Sequence, residues 1–279
     1  MPRLELIEDP DDPCIEAYRE MRERDLVGRR GLFVAEGEVV LGRLIGAPRF
    51  RTLSVLVDSR RLEKLKPMLA RLGDEVPVFH ASRCVLDAIT GFAIHRGILG
   101  LGAREADAVA SGLLAGLGPG ALVLALFGIA NHDNLGGIFR NAAAFGVDAV
   151  ILDSQCCDPL YRKALRVSVG GVLQVPFARA GGAEEVTALL AGQGFDALAL
   201  TPAGGTPLSE IRPAGRTAVL LGAEGPGLPA EVIAAARAVR IPMAAGFDSL
   251  NVATTSGIVL HHLTDLPTAR PGEGRDERT

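Results

Sequence analysis

Short apolar runs alternating with segments of helical spacing fill the chain, and the alternation falls into two blocks. The first block opens with residues 14 to 30 (CIEAYREMRERDLVGRR), whose apolar and charged positions repeat at helical spacing and predict a surface helix. An apolar run (GLFVAEG), a helix-like stretch (EVVLGRLIGA), a strand-like run (TLSVLVD), a helix (RRLEKLKPMLARL), a strand (VPVFHA), a short helix (SRCVLDAIT) and a closing strand (GILGLG) follow. That order predicts a small α/β domain over residues 1–103. The glycine-rich, small-residue stretch 104–119 reads as a linker.

The second block, 120–267, carries buried-strand signals: ALVLALFG at 121–128, VDAVILD at 147–153, LQVPFA at 173–178, FDALAL at 195–200, TAVLLG at 217–222 and VRIPM at 239–243. Between and after them GIFRNAAAFG, AEEVTALLAGQ, PAEVIAAARA and TTSGIVLHHLTDL have helical patterns. Continuous apolar strands need cover on both faces, so this block predicts a mostly parallel sheet in an α/β fold. Residues 268–279 have no apolar face and read as a flexible tail.

Composition narrows the class. A hydrophobic content of 48% excludes a disordered or collagen-like chain. No run approaches 18 apolar residues, and the acidic start (MPRLELIEDPDDP) lacks an export-signal pattern, so a soluble, cytoplasmic protein without membrane contact is expected. Cys14, Cys84, Cys156 and Cys157 form no C-x-x-C, and His80, His95, His132, His261 and His262 lack metal-ligand spacing; reduced thiols and no metal are expected. The net charge of −4 offers nucleic acid no global field, so any RNA or DNA contact must be local. Of 29 basic residues 26 are arginine, which grips phosphate bidentately, although genome composition alone also produces such a bias.

Candidate chemistry sits in three glycine-bearing clusters at predicted strand ends, where open α/β sheets bind ligands. Neither G-x-G-x-x-G nor G-x-x-x-x-G-K-[ST] is present, so a nicotinamide-dependent oxidoreductase fits only the fold class. The first cluster runs from Asn134 through Gly136-Gly137 to Arg140-Asn141. Its asparagine can cap a helix, and Arg140 in the first turns would add a guanidinium to the local amide donors for a phosphate or developing oxyanion. A cap with an exposed surface arginine is the plainer alternative. Three glycines in the second cluster, Gly222 to Leu228, allow a tight turn against a flat ligand and leave Glu224 as the one carboxylate, or form a simple Pro-Gly turn. The third runs from Ile241-Pro242-Met243 to Ser249-Leu250-Asn251-Val252 and a hydroxyl-rich helix start that serves equally as a generous N-cap.

In this order the clusters resemble the SpoU-type ribose 2'-O-methyltransferases of the trefoil-knot superfamily. The N-x-G-x-x-x-R motif is matched by Asn134, Gly136 and Arg140, and the K-A-x-R-x-S-x-G segment by Lys163-Ala164, Arg166, Ser168 and Gly170. G-x-E-G-x-G-L corresponds to Gly222–Leu228, and I-P-M through S-L-N-V to Ile241–Met243 and Ser249–Val252. Ala35-Glu36-Gly37 and His95-Arg96-Gly97 are similar to an L30e-like substrate-binding domain. Departures are Asn131-His132 for the usual Asp-Pro, Asn141 for Ser or Thr, and Ala253 for a second Ser.

The resemblance implies a knotted, mostly parallel C-terminal sheet behind a small L30e-like α/β domain. It assigns S-adenosylmethionine to Gly222, Glu224, Gly225, Ile241, Met243 and Leu250, and the reacting ribose to Asn134, Arg140, Glu224, Ser249 and Asn251. Because arginine stays protonated, stabilising a developing alkoxide suits Arg140 better than acting as a free base. The expected activity is 2'-O-methylation of a ribose in structured RNA, rRNA favoured over tRNA, by a homodimer joined through the C-terminal domain. The alternative is a noncatalytic RNA-binding or ribosome-assembly protein on the same fold.

Overall fold

The computed structural model describes residues 2–19, 31–91, 97–104, 108–213, 215–247 and 249–265. The expected helix beyond residue 19, the His95-Arg96 pair and the tail lie outside the described residues. In chain order the elements are β1 (Leu4–Ile7), β2 (Leu32–Glu36), α1 (Glu38–Ile45), β3 (Phe50–Asp58), α2 (Leu62–Leu69), β4 (Val78–Ala81), α3 (Arg83–Thr90), β5 (Ile98–Arg104), α4 (Ala110–Ala115), β6 (Leu122–Phe127), α5 (His132–Ala144) and β7 (Ala149–Leu152). There follow α6 (Arg162–Val167), α7 (Gly171–Gln174), β8 (Phe177–Arg179), α8 (Ala183–Gly192), β9 (Asp196–Leu200), β10 (Thr206–Pro207), β11 (Thr217–Gly222), α9 (Ala230–Ala234), β12 (Arg237–Arg240) and α10 (Val252–Asp265). Among the described residues no helix is long and apolar enough to cross a membrane.

Two compact units result. The first comprises residues 1–107, 131–143 and 157–175, and the second 108–130, 144–156 and 176–279. In the first, five strands pair in the order β1-β4-β3-β5-β2, with β5 antiparallel to both its neighbours. Alternation along β3 sends Leu56 into one apolar cluster with Tyr18, Phe79 and Leu99, and Val55 and Val57 into another with Leu41 and Leu65. The buried Tyr18 hydroxyl meets Ser54 Oγ at 2.7 Å. Ser82 caps α3 by accepting from the Val85 amide, and Gly91 ends it at φ +72°. β1 gave no strand signal, because of its four residues only Ile7 is buried on this edge strand.

Later chain segments complete this unit. Helix α5 starts where Asn131 Oδ1 accepts from the Asp133 amide (2.8 Å) and the Asn131 carbonyl from Leu135 (2.9 Å). It packs on α6 and α7 at glycines: a Cβ on Gly136 would stand 2.8 Å from Val167 Cβ, and one on Gly171 2.7 Å from the Phe139 carbonyl. That close approach makes 171–174 helical, where LQVPFA suggested strand; β8 begins only at Phe177.

The second unit is built on seven strands, all paired parallel, in the order β10-β12-β9-β11-β6-β7-β8. Every residue of β6 is buried, as its unbroken apolar run requires. Within the stretch read as a linker, α4 forms and buries Ala110 and Leu114 in the core. β12 ends at Arg240, earlier than VRIPM predicted, since Pro242 has no N–H for the ladder. Beyond β7, the buried Asp153 carboxylate accepts from the amides of Gly128 (3.1 Å), Gln155 (3.0 Å) and Cys156 (2.9 Å), fixing the loops after β6 and β7. Asp153→Ala strands these donors, and unfolding in urea should show a loss on the order of 3 kcal/mol. A loss below about 1 kcal/mol would mean that water satisfies them instead.

Candidate active site

β11 lies between β6 and β9, and β12 lies outside β9, so the crossovers diverge around the carboxyl ends of these strands. Such a reversal of strand order opens a crevice. Here it is a cleft of about 460 Å³ lined by Leu200, Thr201 and Pro202 after β9, Leu221 to Gly225 and Gly227 at β11, Val239, Ile241 and Met243 at β12, and Ser249 to Val252 and Thr255 at the start of α10. No lysine or arginine is among these residues. The lining is apolar in larger part, and among the described residues Glu224 is its one carboxylate.

The glycine loop owes its shape to backbone constraints. Gly225 and Gly227 adopt φ of +86° and +73°, and the Gly227 amide donates to the Ala223 carbonyl at 3.0 Å, closing the turn. A Cβ on Gly222 would collide with the backbone of Gly227 and Leu228, so the loop can fold back against the strand end only with glycine there.

Asn251 ties this loop to α10. Its Oδ1 accepts from the amides of Ala253 (3.0 Å) and Thr254 (3.1 Å), capping the helix, while its Nδ2 donates to Glu224 Oε1 at 2.7 Å. The cap uses the oxygen, which leaves the amide nitrogen facing the carboxylate. Ser256 stays beneath the helix start, donating to the Ala253 carbonyl at 2.7 Å.

All six residues expected to hold the cofactor, Gly222, Glu224, Gly225, Ile241, Met243 and Leu250, line the cleft, together with Ser249 and Asn251. Asn134 and Arg140 are not among the lining residues and belong to α5 of the first unit. Two expectations about them need correction. The cap is Asn131, so Asn134 sits buried inside the first turn. The helix therefore starts earlier than Gly136, and the exposed Arg140 is the ninth of its 13 residues, about 12 Å along the axis, too far for the helix N-terminus to share an anion with it.

Leu200, Thr201 and Pro202 also line the cleft, although no sequence motif singles them out. Their one signal was position, directly after an apolar strand. Arg162 donates to Glu36 at 3.3 Å. The buried Cys156 thiol donates to the Leu126 carbonyl, and burial followed by the Asp153 charge pushes its pKa far above the ordinary thiol value, which suits an inert group. Among the described residues no group of three or more His, Cys, Asp or Glu is placed to hold a metal. Asn251→Ala should cost about 1 kcal/mol in denaturant unfolding through the lost cap. An unchanged midpoint would show that the exposed α10 start is satisfied by solvent.

Residues 121–261 match the model of the SpoU rRNA Methylase family. An uncharacterized tRNA/rRNA methyltransferase of Mycobacterium tuberculosis is 41% identical over 265 residues, covering 92% of this chain and 90% of its own. The AdoMet-bound rRNA methyltransferase of Sinorhizobium meliloti superposes with a TM-score of 0.76 at 25% identity over 93% of this chain and 97% of its own. The fold is also that of the SpoU methyltransferase AviRb of Streptomyces viridochromogenes, with a TM-score of 0.75 at 20% identity over 88% and 93% of the two chains.

Proposed function

The chain belongs to the SpoU rRNA methylase family, and from that premise we propose that it methylates the 2'-oxygen of a ribose in structured RNA, rRNA in preference to tRNA. It is an RNA methyltransferase that uses S-adenosylmethionine. The observation that carries the finer reading is the cleft: the glycine loop and the Ile241–Val252 motif, two of the three sequence clusters, meet there, with Asn251 bonded to Glu224. Its apolar surface and, among the described residues, its single carboxylate and lack of a lining cation fit a flat adenosine joined to a positively charged sulfonium. Gly222, Glu224, Gly225, Ile241, Met243 and Leu250 would hold it.

S-adenosylmethionine supplies, when bound, a methyl group already activated for transfer. Glu224, Ser249 and Asn251 orient the ribose, Asn251 being fixed by its cap and Glu224 by Asn251. Arg140, always cationic, stabilises the alkoxide that develops as the 2'-hydroxyl proton leaves to an RNA phosphate oxygen, with Asn134 supporting its helix. The same reading includes a trefoil knot in the second unit and an L30e-like, RNA-binding role for the sheet of the first. It also includes a homodimer through the C-terminal domain. Phe247, Leu250 and Ile258, 71%, 40% and 39% exposed near the cleft, are apolar surface suited to such a contact.

Mapping 2'-O-methyl positions in total RNA with and without the gene tests the reaction; an unchanged map with intact S-adenosylmethionine binding would favour a noncatalytic RNA-binding protein. Arg140→Ala should lower the single-turnover rate by a factor on the order of 10²–10³, the scale for one transition-state donor. Being an exposed helix position, it should leave folding and S-adenosylmethionine affinity intact. A near-normal rate would remove Arg140 from the mechanism. Light scattering that finds only the 29.1 kDa monomer at micromolar concentration would remove the dimer.

A further inference from the structure

Within the first unit, polar contacts run from the five-stranded sheet to α5. At the end of β2 the Glu36 side chain, 4% exposed, accepts from Arg162 Nη1 at 3.3 Å. The next residue of α6, Lys163, pairs with Asp133 in the first turn of α5 at 2.6 Å. Adjacent cations thus face opposite ways, one to the sheet and one to α5. Arg104 at the end of β5 holds both oxygens of Asp158 at 3.0 and 3.1 Å, just before α6. Arg49, ahead of β3, donates to the carbonyl of Val175 at 2.8 Å, closing the end of α7.

Packing makes these contacts matter for α5, because Gly136 and Gly171 bring α5 against α6 and α7 with no space for a methyl group. The four links differ in weight. Lys163 and Asp133 are each about half exposed, and such a pair contributes little. Glu36 is buried, and removing one partner of a buried pair leaves an uncompensated charge, which is costly. The Glu36–Arg162 pair is therefore the link whose loss α5 should feel.

We propose that Glu36 and Arg162 are positioning residues, which fix α6 to the sheet and through α6 hold the helix that presents Arg140. The first unit then serves catalysis by rigidity as well as by any grip on RNA. The inference rests on the role proposed above for Arg140, and a misplacement of about 1 Å in a reacting geometry can cost 10²-fold in rate.

The test uses the full chain with Glu36→Gln, Arg162→Met and the double variant, which removes both charges and stays folded should a single variant fail. Single-turnover transfer at saturating RNA and S-adenosylmethionine should slow about 10-fold, with both dissociation constants within about 2-fold of the parent. Hydrogen exchange should quicken about 10-fold in peptides spanning 132–144 and stay unchanged in β6, β9 and β11. The double variant should lose no more than the worse single one, since all three break one link. Parental exchange and rate in the double variant overturn the proposal, and so does a loss confined to RNA affinity. If Arg140→Ala itself keeps a normal rate, the role of Arg140 falls, while the exchange measurement still decides whether the pair holds α5.

Discussion

The second unit depends on β11 being paired along both edges, to β6 over Thr217–Gly222 and to β9 over Thr217–Leu220. A parallel strand buried on both faces leaves its middle to apolar side chains, as Ala218 to Leu221 are here, so chemistry is displaced to its carboxyl end. At that end the chain must reverse at once, and the backbone of Gly227–Leu228 occupies the space a side chain at Gly222 would need. The cleft follows from this reversal. Loops after β9 and β12 lean on the same strand ends, so residues more than fifty positions apart in sequence reach one ligand.

Several of the described arginines serve as internal fasteners. Arg49 closes the end of α7, Arg179 donates to the carbonyls of Asp153 and Cys156, and Arg240 to those of Gly204 and Gly205. Arg216 bonds the carbonyls of Gln193 and Leu114 while its guanidinium stacks over Phe195 at 4.4 Å. Parallel sheets leave carbonyls unpaired where strands and crossover helices end, and a planar fork of five donors meets two of them at once. Part of the arginine content of this chain thus answers backbone carbonyls of the protein itself.

The strands of the second block were legible because burial on both faces writes itself as unbroken apolar runs; β6, β9 and β11 appear within a residue or two of their expected positions. Features settled by contact were not. Nothing in LELI marks β1, since an edge strand with one buried residue has no pattern to show. Asn131 and Asn134 are both good caps by type, and only the start of the helix separates them. That three-residue difference moved Arg140 from a helix start to its third turn. Ala35-Glu36-Gly37 was legible only as a likeness to an L30e-like domain and gave no sign of the Glu36 ion pair, whose partner lies 126 positions away. The cleft residues were legible as motifs, whereas Leu200 to Pro202 carried no chemical mark.

Asn251 shows how stability and chemistry come to share one side chain. An asparagine cap commits its oxygen to two amides, which removes the freedom to flip and sets the nitrogen toward Glu224. Aspartate would cap α10 as well, but it has no donor to offer and would set a second negative charge beside the first. The carboxylate is exposed, where a lone hydrogen bond contributes only modestly to stability. Its value is in orientation: without the Asn251 donor, Glu224 would rotate in solvent at the tip of a glycine loop, and its charge would be averaged over the directions available to it. With the donor, the helix cap fixes the carboxylate of a loop 27 residues away, so any weakening of the α10 start is transmitted to the Glu224 charge that lines the cleft.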